Sequence, residues 1–321
     1  MMSRVLLIAM LLGLTCAGAA QAQRYPERPV RLMLGFAASG SADIIARVFA
    51  EQLQKQLGVN VIADNRPGAG GTLAYATAAH AAPDGYTLLF ITPSFVTASV
   101  IYKNLPFDPR RAFLPVTHVA NGPANVLVVN PGFPAKTLRD LVSLAKTKDV
   151  SYGSPGIGAL QHFIAELFNL RAGVKLAHIP YKGQAPALTG LLGNEVNVVF
   201  LQPPGGLDLI KAGRIRALAY AGASRWPMLP DVPTVAEAGI PDFQLAGPYE
   251  GVLVPARTPV ALVNRLHAEI TRTLETPQLR SALERAGWAP DGRGPAPFGE
   301  LVRAEMKRYS DIAREAGITA Q

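Results

Sequence analysis

The chain has 321 residues, a formal net charge of +8 and a single cysteine, Cys16. With one cysteine there can be no internal disulfide and no cysteine-rich metal site. The basic residues are scattered, with no Lys/Arg run or interleaved aromatic stripe, so nucleic acid is excluded as a partner and the surplus charge points to anions.

Arg4 is a positive start, Val5 to Leu14 a short apolar run, and Ala20-Gln21-Ala22 a small-x-small cleavage pattern. Together they predict a secretory leader over residues 1–22, too short to span a bilayer, which needs roughly 20 apolar residues. Thr15 and Gly13 before Cys16 do not fit a lipid-anchor motif. Losing Arg4 with the leader lowers +8 to +7 and leaves 321 − 22 = 299 residues without cysteine, enough for two modest domains.

After Tyr25-Pro26, Val30 to Leu34 reads as a strand running into the small-residue loop Gly35 to Ser41. Ile45, Phe49, Leu53 and Leu57 recur every four residues and predict a helix, with Ser41 as N-cap and Gly58 as stop. A strand over 59–63, the stretch Asn65-Arg66-Pro67-Gly68-Ala69-Gly70-Gly71, a small-residue helix to 81 and a strand over 87–91 follow. Strand–helix alternation of this kind predicts a parallel sheet with right-handed crossovers. Residues 107–115 read as a surface loop, and 116–130 as two apolar runs broken at Asn121-Gly122-Pro123.

A second alternating unit begins with a helix over 138–146 and a strand over 150–153. The loop Ser154-Pro155-Gly156-Ile157-Gly158 then leads into a helix marked by Leu160, Ile164, Leu167 and Phe168. Strands over 175–179, 196–201 and 215–221 follow, then a proline-dense crossing at 227–233 and helices over 259–274, 277–286 and 298–313. Two strand–loop–helix units, one in each half, predict an α/β protein of two lobes joined by a hinge, with a ligand cleft between them. Open parallel sheets bind at the carboxyl ends of their strands.

A helix start offers unpaired N–H groups and the positive end of the peptide dipole, which suit an anion. Phe36, Ala37, Ser39, Gly40 and Ser41 in the first loop, and Ser154, Gly156, Ile157, Gly158 and Ala159 in the second, are the ligand candidates. Thr92 and Ser94, after the strand over 87–91, and Tyr181, in Pro180-Tyr181-Lys182-Gly183, join them. Asp43 would repel an anion beside it, so it either orients the loop, caps the helix or meets a ligand ammonium or hydroxyl. His162 can donate to a carboxylate or to a backbone carbonyl, and Glu166 reads as a partner for it or as a solvated residue. Small residues in either loop are explained equally well by a tight turn. Gly68-Ala69-Gly70-Gly71 lacks an intact dinucleotide fingerprint, and no nucleophile elbow, HExxH or paired-histidine motif is present. Neither catalytic residues, nor a metal, nor a cofactor is expected.

The segments Tyr25 to Val30, Asn65 to Gly71, Ala82-Pro83-Asp84-Gly85-Tyr86-Thr87-Leu88-Leu89, Gly153 to Gly158 with His162, His178 to Gly183, and Leu229 to Gly239 recur in this order in one family. Through them the chain resembles the substrate-binding component of tripartite tricarboxylate transporters, the TctC-like or Bug family. The resemblance implies a type II periplasmic binding fold, with lobe one over 24–122 and 222–321 and lobe two over 123–221. It also implies a monomer that grips a small carboxylate through backbone amides, hydroxyls and water, for the large and small membrane subunits of a transporter. A receptor that presents the acid to a membrane sensor is the alternative. The chain departs from the family at Ser39-Gly40-Ser41, where Pro-Gly-Gly is usual, at Ala159 in place of Ser or Thr, at Tyr249 in place of Trp, and at Leu201-Gln202-Pro203, which often holds Asp. These departures leave the identity of the acid open.

Overall fold

The computed structural model describes residues 25–243 and 247–319; the leader read over 1–22 lies outside the described residues. In chain order the elements are β1 (Val30–Leu34), α1 (Ser41–Leu57), β2 (Val61–Asn65), α2 (Thr72–Ala79), β3 (Thr87–Ile91), α3 (Ser94–Ile101), β4 (Phe113–Asn121) and β5 (Val126–Val129). Then come α4 (Leu138–Ala145), β6 (Ser151–Ser154), α5 (Leu160–Ala172), β7 (Ala177–Pro180), α6 (Gln184–Leu192), β8 (Val198–Leu201), α7 (Leu207–Lys211) and β9 (Arg216–Tyr220). The chain closes with β10 (Tyr249–Pro255), α8 (Val260–Glu275), α9 (Pro277–Arg285), β11 (Ala289–Pro290) and α10 (Pro295–Glu315).

The strands form two sheets, ordered β11-β4-β10-β3-β1-β2 and β7-β6-β8-β5-β9. Within the first, β1 runs parallel to β2 and β3, so the turns after all three strands open on the same edge. In the second, β6 runs parallel to β7 and β8. The expected two-lobed α/β architecture is therefore present, but neither sheet is purely parallel. β10 runs antiparallel between β3 and β4, and β5 antiparallel between β8 and β9. The sequence reading missed β10 because Glu250 and Gly251 interrupt its apolar run. It missed α3 because Ser94 to Ile101 is apolar on nearly every side and shows no helical stripe.

The helices form for the reasons their spacing suggests. On α1, Ile45, Phe49 and Leu53 are fully buried, each stabilising the fold by about 1.5–3 kcal/mol. The helix ends where Gly58 takes the left-handed conformation at φ +71° and its N–H bonds back to Gln54. Its start differs from expectation. Gly40 is the N-cap, Ser41 is the first helical residue, and no side chain caps the first turn.

Residues 226–243 pack with the second sheet. Trp226 stacks on Tyr220 at 6.2 Å, Phe243 meets Phe168 edge-on at 6.1 Å, and Thr234 bridges Tyr220 in parallel register. These contacts lie within the stretch that the sequence reading assigns to lobe one. No helix among the described residues is long and apolar enough to cross a membrane.

Candidate ligand-binding site

The two lobes meet at the carboxyl ends of their parallel strands. There a cavity of about 30 Å³ is lined by Phe36, Ala37, Gly40, Ser41, Ala42 and Asp43 from the start of α1, and by Thr92 and Ser94 after β3. Pro155, Gln161, Gln184 and Gln202 line it from the second lobe. Space of that size holds about one water molecule. Direct hydrogen bonds shut the cleft around it. Ser41 Oγ donates to Pro203 O at 2.7 Å, Ala37 N–H to Lys182 O at 3.2 Å and Thr97 Oγ1 to Gly158 O at 2.6 Å. Leu160 N–H donates to Ser94 Oγ at 3.0 Å, and Tyr102 OH to Ile157 O at 3.3 Å. Backbone approaches backbone at Gly70, where an added Cβ would lie 2.3 Å from Ile157 O.

The start of α1 keeps its donors open. The Ser41 hydroxyl, expected to cap α1, turns across the cleft to Pro203, so the N–H groups of Ser41 and Ala42 have no partner among the described residues. Asp43 does not compete for them. It is 3 % exposed, and it accepts from Ser39 N–H at 2.9 Å, Arg47 Nε at 2.8 Å and Asn65 Nδ2 at 2.9 Å. Burial works against its charge, but the bonds from Arg47, Ser39 and Asn65 outweigh burial and hold the carboxyl below the usual range. Of the roles left open for Asp43, orienting the loop is the one its contacts fill. Ser39 itself does not line the cavity; at φ +66° it sits in the left-handed region and turns its N–H to Asp43.

The second loop has most of its donors already engaged. Gly156 N–H goes to Ser154 Oγ at 3.1 Å, Gly158 N–H to His162 Nδ1 at 3.3 Å, Ala159 N–H to Gly156 O at 3.1 Å, and Leu160 N–H across to Ser94. Ser154 is fully buried, with its Oγ 2.6 Å from His178 Nε2. Tyr152, His178 and His162 form one stack, with ring centroids 4.7 and 4.4 Å apart. Burial, helped by the neighbouring His162, pulls His178 down to about 3, and burial also lowers His162, so both rings are neutral. His162 thus accepts from a loop amide, a role not among those expected for it, and Glu166 pairs with the Tyr152 hydroxyl at 2.6 Å. Tyr181 turns its hydroxyl to Glu195 at 3.1 Å. Ser154, Gly156, Ile157, Gly158, Ala159, His162 and Tyr181 are therefore not among the lining residues. They build and seat the second wall.

That wall is finished by three glutamines the sequence reading passed over. Gln184 clasps the turn after β8: its Nε2 donates to Gln202 O at 2.9 Å and its Oε1 accepts from Gln202 N–H at 2.9 Å. Gln161 Nε2 donates to Gln202 Oε1 at 3.3 Å, and Gln202 Nε2, in a residue 5 % exposed, has no partner among the described residues. A signal for them exists, since each follows closely on the carboxyl end of a strand of one parallel set, where such sheets bind ligands. Among the described residues no cluster of His, Cys, Asp or Glu could hold a metal.

With this geometry in hand, comparison with known proteins decides the family. The pattern of the tripartite tricarboxylate transporter family receptor, TctC, matches residues 45–318. The chain belongs to the TctC family. That family comprises substrate-binding receptors, so the chain is a binding protein and not an enzyme. It is 33 % identical over 305 residues to the protein BugT of Bordetella pertussis, covering 94 % of this chain and 93 % of that one. Among solved structures it resembles the periplasmic binding protein BugD, with a TM-score of 0.88, 32 % identity and coverage of 92 % and 100 %. It also resembles R. palustris Rpa4515 with adipate, with a TM-score of 0.87, 34 % identity and coverage of 92 % and 99 %. The resemblance read from the sequence segments, to Bug and TctC-like receptors, holds.

Proposed function

We propose that this TctC-family receptor works in the periplasm, captures a small carboxylate in the cleft between its lobes and delivers it to the membrane subunits of a tripartite tricarboxylate transporter. The observation that carries this reading is the uncapped start of α1: Ser41 and Ala42, whose N–H groups have no partner among the described residues, line the cavity together with Gln202, whose amide nitrogen is also unpartnered. An anion there would accept charge-assisted hydrogen bonds and lie at the positive end of a 17-residue helix. The related Rpa4515, solved with adipate, supports an organic acid as the ligand class.

Capture is a matter of hinge closure. For a ligand to enter, the contacts of Ser41 with Pro203 and of Leu160 with Ser94 must part, and bound ligand then adds its own bonds to both walls. Occupancy thereby favours the shut form, by as much as the ligand prefers it. Residues 1–22, as the leader, would bring the protein to that compartment.

A thermal-shift screen of the mature protein against mono-, di- and tricarboxylates tests the reading. One or more acids should raise the melting temperature in proportion to the logarithm of concentration. Failure of every carboxylate to do so, alongside a response to neutral sugars or to cations, would overturn it.

A further inference from the structure

The same cavity describes the far end of its ligand. Its lining contains no lysine or arginine, and its single charge, Asp43, is already matched by Arg47, Asn65 and Ser39 N–H. The start of α1 offers free N–H groups to one anion. The start of α5 offers less, because Gly158, Ala159 and Leu160 have partners, and in its first turn the N–H of Gln161 is the one left without a partner among the described residues. Opposite α1 the wall is made of amides, and the unsatisfied side-chain donor is Gln202 Nε2. A buried donor without a partner is costly, so this group asks for an acceptor. A second ionised carboxylate placed there would be desolvated with no cation beside it, which costs far more than burying a neutral acceptor.

We infer that Gln202 reads the end of the ligand remote from its carboxylate, and that it selects a neutral hydrogen-bond acceptor there, such as a carboxamide, keto or hydroxyl oxygen, over a second carboxylate. This rests on the proposed capture of one carboxylate at the start of α1. It narrows the ligand class to polar monocarboxylates.

Isothermal titration of the mature protein with matched pairs tests it. Succinamate against succinate, and glutaramate against glutarate, differ only in an amide for a carboxylate; adipate and the plain monoanion butyrate complete the set. The amide acids should bind at least tenfold more tightly than their diacids and than adipate. Gln202→Leu should reduce that preference to about twofold or less, with the circular dichroism spectrum and the melting temperature checking that the protein remains folded. The wild-type ratio is informative by itself should the variant fail to fold. Diacids that match or exceed the amide acids, or a Gln202→Leu protein that keeps the preference, would overturn the inference and leave carboxylate capture standing. Absence of binding by every acid, butyrate included, would sink the proposed function and this inference with it.

Discussion

The two strand–loop–helix turns that face each other across the cleft look alike in sequence and differ in chemistry. At the first, the side chain expected to cap the helix reaches for the other lobe, and the helix start stays open. At the second, Ser154, His162 and Ser94 occupy the N–H groups of Gly156, Gly158 and Leu160, and stacked neutral histidines brace the loop from behind. One turn is left free to bind, and the other is built as a rigid wall. A small-residue loop before a helix is therefore only permission for an anion site. The neighbours decide whether its donors remain available.

That contrast can be broken by substitution. The largest effect is expected from Gly70→Val. A Cβ there would lie 2.3 Å from Ile157 O, and Gly70 sits at φ +63°, so the first lobe can no longer seat on the second wall. Ligand affinity should fall at least a hundredfold, with the circular dichroism spectrum retained; near-normal affinity by titration would show that this contact is not needed for closure.

Next is Ser41→Pro. Proline is well tolerated at the first helical position, and Gly40 before it is already extended at ψ 169°. The change removes one open N–H and the bond to Pro203, and should weaken carboxylate binding about ten- to hundredfold with little loss of stability. An unchanged dissociation constant would remove the first loop from the site.

Ser154→Ala should do the opposite. Because the hydroxyl serves Gly156 and His178 inside the wall, its loss should cost about 1–3 kcal/mol of stability, measured by urea unfolding, and change affinity less than Ser41→Pro does.

The smallest effect concerns pH. A histidine lowered in the folded state leaves the unfolded chain binding more protons between the two values, so stability is complete above about 6.5 and is lost as pH falls toward about 3. The Asp43 carboxyl, also lowered, begins to cost stability only below its ordinary value of 3.8. Acidification from pH 7 to 5 should therefore loosen the second wall before the first loop. His178→Asn should flatten the melting-temperature profile between pH 7 and 5, and an equally steep profile would place the sensitivity elsewhere.

Most of the architecture was legible. The four-residue spacing on α1, the glycine that ends it and the alternation of strands with helices are local properties, and the structure keeps them with ends shifted by a few residues. β10 was not legible, because a strand wedged between β3 and β4 owes its place to partners some 130–160 residues away in the chain. At the site, Phe36, Ala37, Gly40, Ser41, Asp43, Thr92 and Ser94 were read from sequence and do line the cavity. Gln161, Gln184 and Gln202 do so as well and were missed, since a glutamine carries no motif of its own.

By itself, the sequence determined the two α/β units, the family and the helix start that faces the cleft, because periodicity, turn residues and ordered segments are written along one stretch of chain. Only the tertiary structure decided which donors were left to bind with. A hydrogen bond is spent on whatever lies within about 3 Å, and for Leu160 that neighbour is Ser94, 66 residues away, just as for Ser41 it is Pro203, 162 residues away.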